Sequence, residues 1–147
     1  MPNRAIDILL VEDNPDDAAL VIRALKRHNL ANKLEHLKNG AEAIDFIYGF
    51  GEFEGKPMKN IPRLILLDLK MPKVNGLEVL SRLKSDPITR TIPVVILTSS
   101  SEDQDIRKCY AMGANSYVVK PVEFDIFSKT IVNLGFYWML FNKTNEV

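Results

Sequence analysis

Leu64-Ile65-Leu66-Leu67-Asp68 decides the reading of this chain: four aliphatic residues in a row, ended by a single carboxylate. A run so short and so uniformly apolar reads as a strand buried on both faces, since a half-exposed strand would alternate with polar residues. Two other stretches share the pattern. Ile8-Leu9-Leu10-Val11 stops at Glu12-Asp13, and Pro93-Val94-Val95-Ile96-Leu97 stops at Thr98-Ser99-Ser100-Ser101. Weaker strands are expected at 34–37 and at Ser116-Tyr117-Val118-Val119, the latter stopping at Lys120-Pro121.

The intervening segments read as helices. After the first strand Asn14 suits an N-cap, Pro15 a first turn, and Asp16 and Asp17 the positive end of a helix dipole. That helix is expected to turn Leu20, Ala24 and Leu25 inward and to end near His28-Asn29. A second helix follows Asn39-Gly40 over about 41–48, with Ala43, Ile44 and Ile47 on one side. The stretch 49–62 holds three glycines and two prolines and reads as an irregular loop of unusual length. Asn75-Gly76 opens a third helix with Leu77, Leu80 and Leu83 inward, closed by Asp86-Pro87. A fourth spans roughly 102–112 before Gly113, and a fifth about 123–141. Strands alternating with helices imply one α/β domain, a doubly wound three-layer (βα)5 sandwich around a parallel sheet. It is expected to occupy 4–142, with no effector domain attached.

Composition excludes several function classes. The 147 residues are 46% hydrophobic, enough for one core, and 19 basic residues balance 19 acidic ones. A chain without excess positive charge releases few counterions from a phosphate backbone, which argues against nucleic-acid binding. The lone Cys109 excludes an internal disulfide and a multi-cysteine metal site. The longest apolar run, 134–141, falls well short of the ~20 residues a membrane helix needs. The N-terminus lacks the pattern of a signal peptide, so a cytoplasmic location is expected.

Each notable polar residue stands at the carboxyl end of a strand: Glu12 and Asp13, Asp68, Thr98, Lys120. In open α/β sheets those ends converge on one crevice. Three carboxylates brought together repel unless a cation sits among them, and hard oxygen ligands suit Mg²⁺, or another divalent cation such as Mn²⁺, better than zinc. A lysine and a hydroxyl aimed at the same point bind an anion. Together these groups describe phosphoryl transfer, in which an aspartate can itself be the nucleophile.

The set Glu12-Asp13, Asp68 with Met71-Pro72 and Gly76, Thr98, and Lys120-Pro121 resembles the receiver domain of two-component response regulators. The resemblance covers about 8–134 and implies the flavodoxin-like strand order 2-1-3-4-5. It implies that Asp68 accepts a phosphoryl group from a sensor histidine kinase. Asp13, Asp68 and the backbone carbonyl of Lys70 would ligate the metal, with Glu12 acting through water. Lys120 and Thr98 would bind phosphoryl oxygens, Ser99 would fill the small position beside them, and Thr98 with Tyr117 would form the switch. The bond before Pro121 would be cis. The long 49–62 loop and the extended last helix, with Leu97-Thr98-Ser99-Ser100 and the expected lack of an effector domain, resemble stand-alone receivers paired with phytochrome-type kinases.

Plainer readings stand beside these. Asp16 and Asp17 are read as a favourable helix start only, Ser100 and Ser101 as the opening of a helix, and Cys109 as packing. His28 and His36 are given no chemistry. Six consecutive apolar residues at 136–141 point all round a helix, so Phe136, Trp138, Met139 and Phe141 are expected to form a homodimer or kinase-docking surface. A rival enzyme reading, an aspartyl-phosphate phosphatase or phosphotransferase, expects an acid two residues after Asp68, where Lys70 stands. A nucleotide or flavin carrier expects a phosphate-cradling loop after the first strand, where Glu12-Asp13 stands. A receiver that is never phosphorylated and acts as an adaptor is the third rival.

Overall fold

The computed structural model describes residues 7–27, 33–49, 62–69, 71, 74–99 and 102–120, with 125 and 129. Within them β1 (Ile8–Val11), β2 (Leu34–Leu37), β3 (Leu64–Leu67), β4 (Val94–Thr98) and β5 (Ser116–Val119) alternate with α1 (Pro15–Arg27), α2 (Gly40–Tyr48), α3 (Gly76–Ser85) and α4 (Asp103–Ala111). All pairings are parallel, in the order β2-β1-β3-β4-β5. Asp125 and Lys129 are helical, but the expected helix over 123–141 otherwise lies outside the described residues, as do 50–61, His28, Lys70, Pro72 and Pro121. Phe136, Trp138, Met139 and Phe141 lie outside them too.

Alternate side chains of the uniformly apolar strands build two cores. Ile8, Leu10, Leu64, Leu66, Val95 and Leu97 meet Ala18, Val21 and Leu25 of α1. Leu9, Val11, Ile65, Leu67, Val94 and Ile96 meet α2 and α3, with Cys109 of α4 packed as a small apolar group. Helices therefore cover both faces of the sheet, the three-layer arrangement that β-α alternation requires.

Two sequence expectations are corrected. Leu20 is 42% exposed. α1 begins at the Asn14 cap, whose Oδ1 accepts from the backbone N–H groups of Asp16 and Asp17, and Leu25 faces inward as expected, with Ala18 and Val21 in place of Leu20. β4 is shifted by one residue relative to 93–97: Pro93 precedes it, and Thr98 is its last residue, in register with Val119. Smaller differences occur at Leu77, which is only half-buried beside fully buried Val79 and Leu80, and at Arg27, where α1 ends.

Asparagine caps fix the helix starts nearest the sheet end. Asn39 Oδ1 accepts from Glu42 N, while Glu42 Oε1 accepts from Lys38 N, a reciprocal capping box. Asn75 Oδ1 accepts from Glu78 N in the same way at α3. Gly76 follows that cap, and its N–H donates to Leu69 O at 2.7 Å. A Cβ at position 76 would lie 2.2 Å from the carbonyl oxygen of Asp68 and 2.6 Å from Leu69 Cα. Both neighbours are backbone and cannot swing aside. Gly76→Ala is therefore expected to lower unfolding free energy by about 3 kcal/mol, the upper end for overpacking. Urea unfolding would measure it, and a loss below about 0.5 kcal/mol, the scale of an ordinary surface change, would refute it.

Candidate functional site

Register brings the strand ends to one rim. Val11 pairs with Leu67, Leu67 with Ile96, and Thr98 with Val119. Backbone bonds continue one residue further: Glu12 N to Leu37 O at 3.0 Å, Asp68 N to Val11 O at 3.0 Å, and Lys120 N to Thr98 O at 2.6 Å. The side chains of Glu12, Asp68 and Lys120 thus leave the sheet together, as the sequence pattern required.

Glu12, Asp13 and Asp68 each offer a carboxylate oxygen, and these oxygens lie within 4.8 Å of one another. Glu12 is 1% exposed and Asp68 6%, while Asp13 faces solvent. Glu12 is held from three sides. Its Oε1 lies 2.8 Å from Lys120 Nζ, its Oε2 accepts from Asn14 N at 3.1 Å, and its backbone oxygen lies 2.9 Å from His36 Nε2. Lys120 Nζ also lies 2.8 Å from Asp17 Oδ2, and 3.9 Å from Asp68 Oδ2.

These contacts set the electrostatics. Burial first, then the charge of Glu12, pushes the Asp68 carboxyl from 3.8 up to about 7; Lys120 opposes the rise, and a hydrogen bond with Glu12 and the charge of Asp13 add to it. For Lys120, burial works to lower the pKa, but hydrogen bonds to Asp17 and Glu12 and the charges of Asp68 and Glu12 outweigh it and raise the value. Lys120 meets Glu12, Asp17 and Asp68, and Asp13 stands beside them, so among the described residues the rim holds four carboxylates and one ammonium. An all-oxygen set of this kind fits a hard divalent cation, Mg²⁺ or Mn²⁺.

Thr98 is fully buried at the end of β4, and Ser99 beyond it is exposed. Tyr117, on the edge strand β5, is half-buried and packs against the core under α2, α3 and α4. Two residues of the site were read too plainly from sequence. Asp17 is more than a helix start, because its carboxylate reaches Lys120. His36, given no chemistry, contacts the Glu12 carbonyl. The signal for Asp17 was its place in the first turn, where side chains lean back toward the helix N-terminus and so toward the rim. For His36 the register beside Leu10 on β1 offered only its position.

Fold and rim together define a doubly wound α/β domain with an acidic cluster and a lysine at the strand ends. The sequence matches the response regulator receiver domain family over residues 8–131. It is 41% identical over 137 residues to the probable methanogenesis regulatory protein FilR2 of Methanothrix harundinacea, covering 93% of this chain and 86% of that one. The phosphorylated cyanobacterial phytochrome response regulator RcpA superposes with a TM-score of 0.80 at 33% identity, covering 92% of this chain and 94% of that one. Response regulator Rcp1 of Synechocystis sp. is 37% identical over 90% of this chain and 88% of its own length. The Mn(2+)-bound form of Rcp1 superposes with a TM-score of 0.79 at 36% identity, covering 93% and 94%. The chain belongs to the response regulator receiver domain family and is a component of two-component signalling. Among the described residues no helix is long and apolar enough to cross a membrane.

Proposed function

We propose that the chain accepts a phosphoryl group on Asp68 from the phosphohistidine of a sensor kinase and signals through altered protein contacts. One observation carries this reading. Asp68 is buried between two carboxylates with a basic oxygen, and the only cation at the rim among the described residues stops 3.9 Å short of it. At that distance the ammonium attracts Asp68 without a hydrogen bond to it, which leaves an N–H for an incoming anion's oxygen.

Asp13 and Asp68, the backbone carbonyl of Lys70, and Glu12 through water would hold Mg²⁺. The bound ion supplies charge neutralisation for the carboxylates and the transferring group. An oxygen of Asp68 forms the new O–P bond as the P–N bond to the kinase imidazole breaks, and the leaving imidazole nitrogen takes up a proton from solvent. Lys120 then gives an N–H to one phosphoryl oxygen and the Thr98 hydroxyl donates to another. Moving Thr98 toward the phosphoryl group vacates space beside β5, into which Tyr117 turns. The phosphoryl group biases the switch by the difference in its contacts between the two states.

The module turns over no external substrate. We assign it a single receiver unit over 4–142, a cytoplasmic location, no nucleic-acid or membrane partner, and a homodimer or kinase contact through Phe136, Trp138, Met139 and Phe141. The partner is a sensor histidine kinase; the likeness to RcpA favours one of phytochrome type.

The test is chemical trapping. Incubation with a small phosphoramidate donor and Mg²⁺, then borohydride reduction and peptide mapping, is expected to show one acyl phosphate per chain, at Asp68. Uptake on another residue, or none at all, would overturn the assignment.

A further inference from the structure

Asp17 lies outside the acidic cluster at the rim, yet it makes one of the two shortest contacts of Lys120. Its backbone N–H is tied to the Asn14 cap at 3.0 Å, and its carboxylate reaches Nζ at 2.8 Å. An ammonium has three N–H groups. Glu12 Oε1 takes one and Asp17 Oδ2 a second, both at 2.8 Å, which leaves the third for the side on which Asp68 stands at 3.9 Å. Glu12 is rigidly placed by Asn14 N–H and buried, so it fixes one direction only. Two anchors are needed to stop a flexible lysine from rotating about the first, and Asp17 is the second.

We infer that Asp17 is a positioning residue that holds the Lys120 ammonium back from Asp68, keeping open the place that a phosphoryl oxygen of the donor occupies. The inference rests on the phosphoacceptor reading above. Without Asp17, the ammonium stays bound to Glu12 but turns about that one anchor onto the Asp68 carboxylate, the next carboxylate within reach. A donor must then break that ion pair before it can bind, whereas the bonds made once it is in place are unchanged. The loss falls on donor binding and not on the transfer step. The role needs an acceptor oxygen at position 17 more than it needs a charge. Asp17→Asn retains the oxygen, and Asp17→Ala loses it.

Phosphoramidate uptake by the full chain with Mg²⁺, followed by intact mass over a range of donor concentrations, separates half-saturation from maximal rate. Asp17→Ala is expected to raise the half-saturating concentration about tenfold, the value of one charge-assisted hydrogen bond. Its maximal rate should stay within about twofold of the parent's, since the transfer step keeps its contacts. Asp17→Asn should restore half-saturation to within about threefold. An unchanged half-saturation in Asp17→Ala, a fall in maximal rate alone, or equal losses in Asn and Ala would each overturn the inference. The carboxylate of Asp17 is one-third exposed, so the variants are expected to fold. If Asp17→Ala does not, Asp17→Ser carries the same expectation, its hydroxyl being too short to reach Nζ. If the parent chain takes up no phosphoryl group on Asp68, the functional reading fails, an outcome distinct from failure of the Asp17 inference.

Discussion

Asp68→Asn is expected to take up no phosphoryl group, and to be more stable than the parent above pH about 7 when divalent cations are removed. The first result follows because an amide has no anionic oxygen to attack phosphorus. The second follows from the raised pKa of Asp68. Below 3.8 the group is protonated in both folded and unfolded chains, and its ionisation costs nothing. Between 3.8 and about 7 the folded chain keeps a proton that the unfolded chain has released, so the parent loses stability as pH rises. Above about 7 the cost is complete and level. The neutral asparagine never incurs it. The gain is about 1–3 kcal/mol, the scale for relieving a poorly compensated buried polar group. Thermal melts in chelator at pH about 4 and above pH about 7 check it. A difference that is the same at low and high pH, or that survives saturating Mg²⁺, would contradict the repulsion described at the rim.

Lys120→Met is expected to cost more. Glu12 is 1% exposed, and Lys120 is its ion-pair partner. Removing one member of a buried pair leaves the other charge uncompensated, typically a loss of about 3–5 kcal/mol. In chelator the variant should fall in that range by urea unfolding, and Mg²⁺ should recover part of it. Adding Glu12→Gln to Lys120→Met should restore most of the loss, because the stranded charge is then gone as well. Phosphoryl uptake should drop by about 10²–10³, as when one donor to a developing oxyanion is deleted. A stability unchanged in chelator would mean that Glu12 does not depend on this lysine.

How much could be read from the chain alone differed by residue. The strand ends were legible because a strand buried on both faces is an unbroken apolar run, and the first charge after it stands out. Asp68 after Leu64-Ile65-Leu66-Leu67 is the clearest case, and Glu12 after Val11 the next. Thr98 was placed just beyond its strand because a hydroxyl looks like a stop, yet a threonine can end a strand with its backbone still paired to Val119. Leu20 is expected inward yet lies 42% exposed. The smaller Ala18 and Val21 occupy the buried stripe. For Asp17 the first-turn position points toward the rim without naming its partner, and for His36 nothing local points to its contact. Each acts on a residue brought near by the sheet order, and a helix-start preference or a lone histidine in a strand reads the same without that contact.

Asp17 and Lys120 are separated by 103 positions in the chain, and Glu12 and Lys120 by 108. During synthesis, which runs from the N-terminus, β1 and its carboxylates leave the ribosome long before the lysine that pairs with them. Until position 120 emerges, Glu12 lacks the ammonium with which it pairs in the folded chain. The rim is therefore completed late, when β5 docks beside β4 and brings Lys120 to the carboxylates.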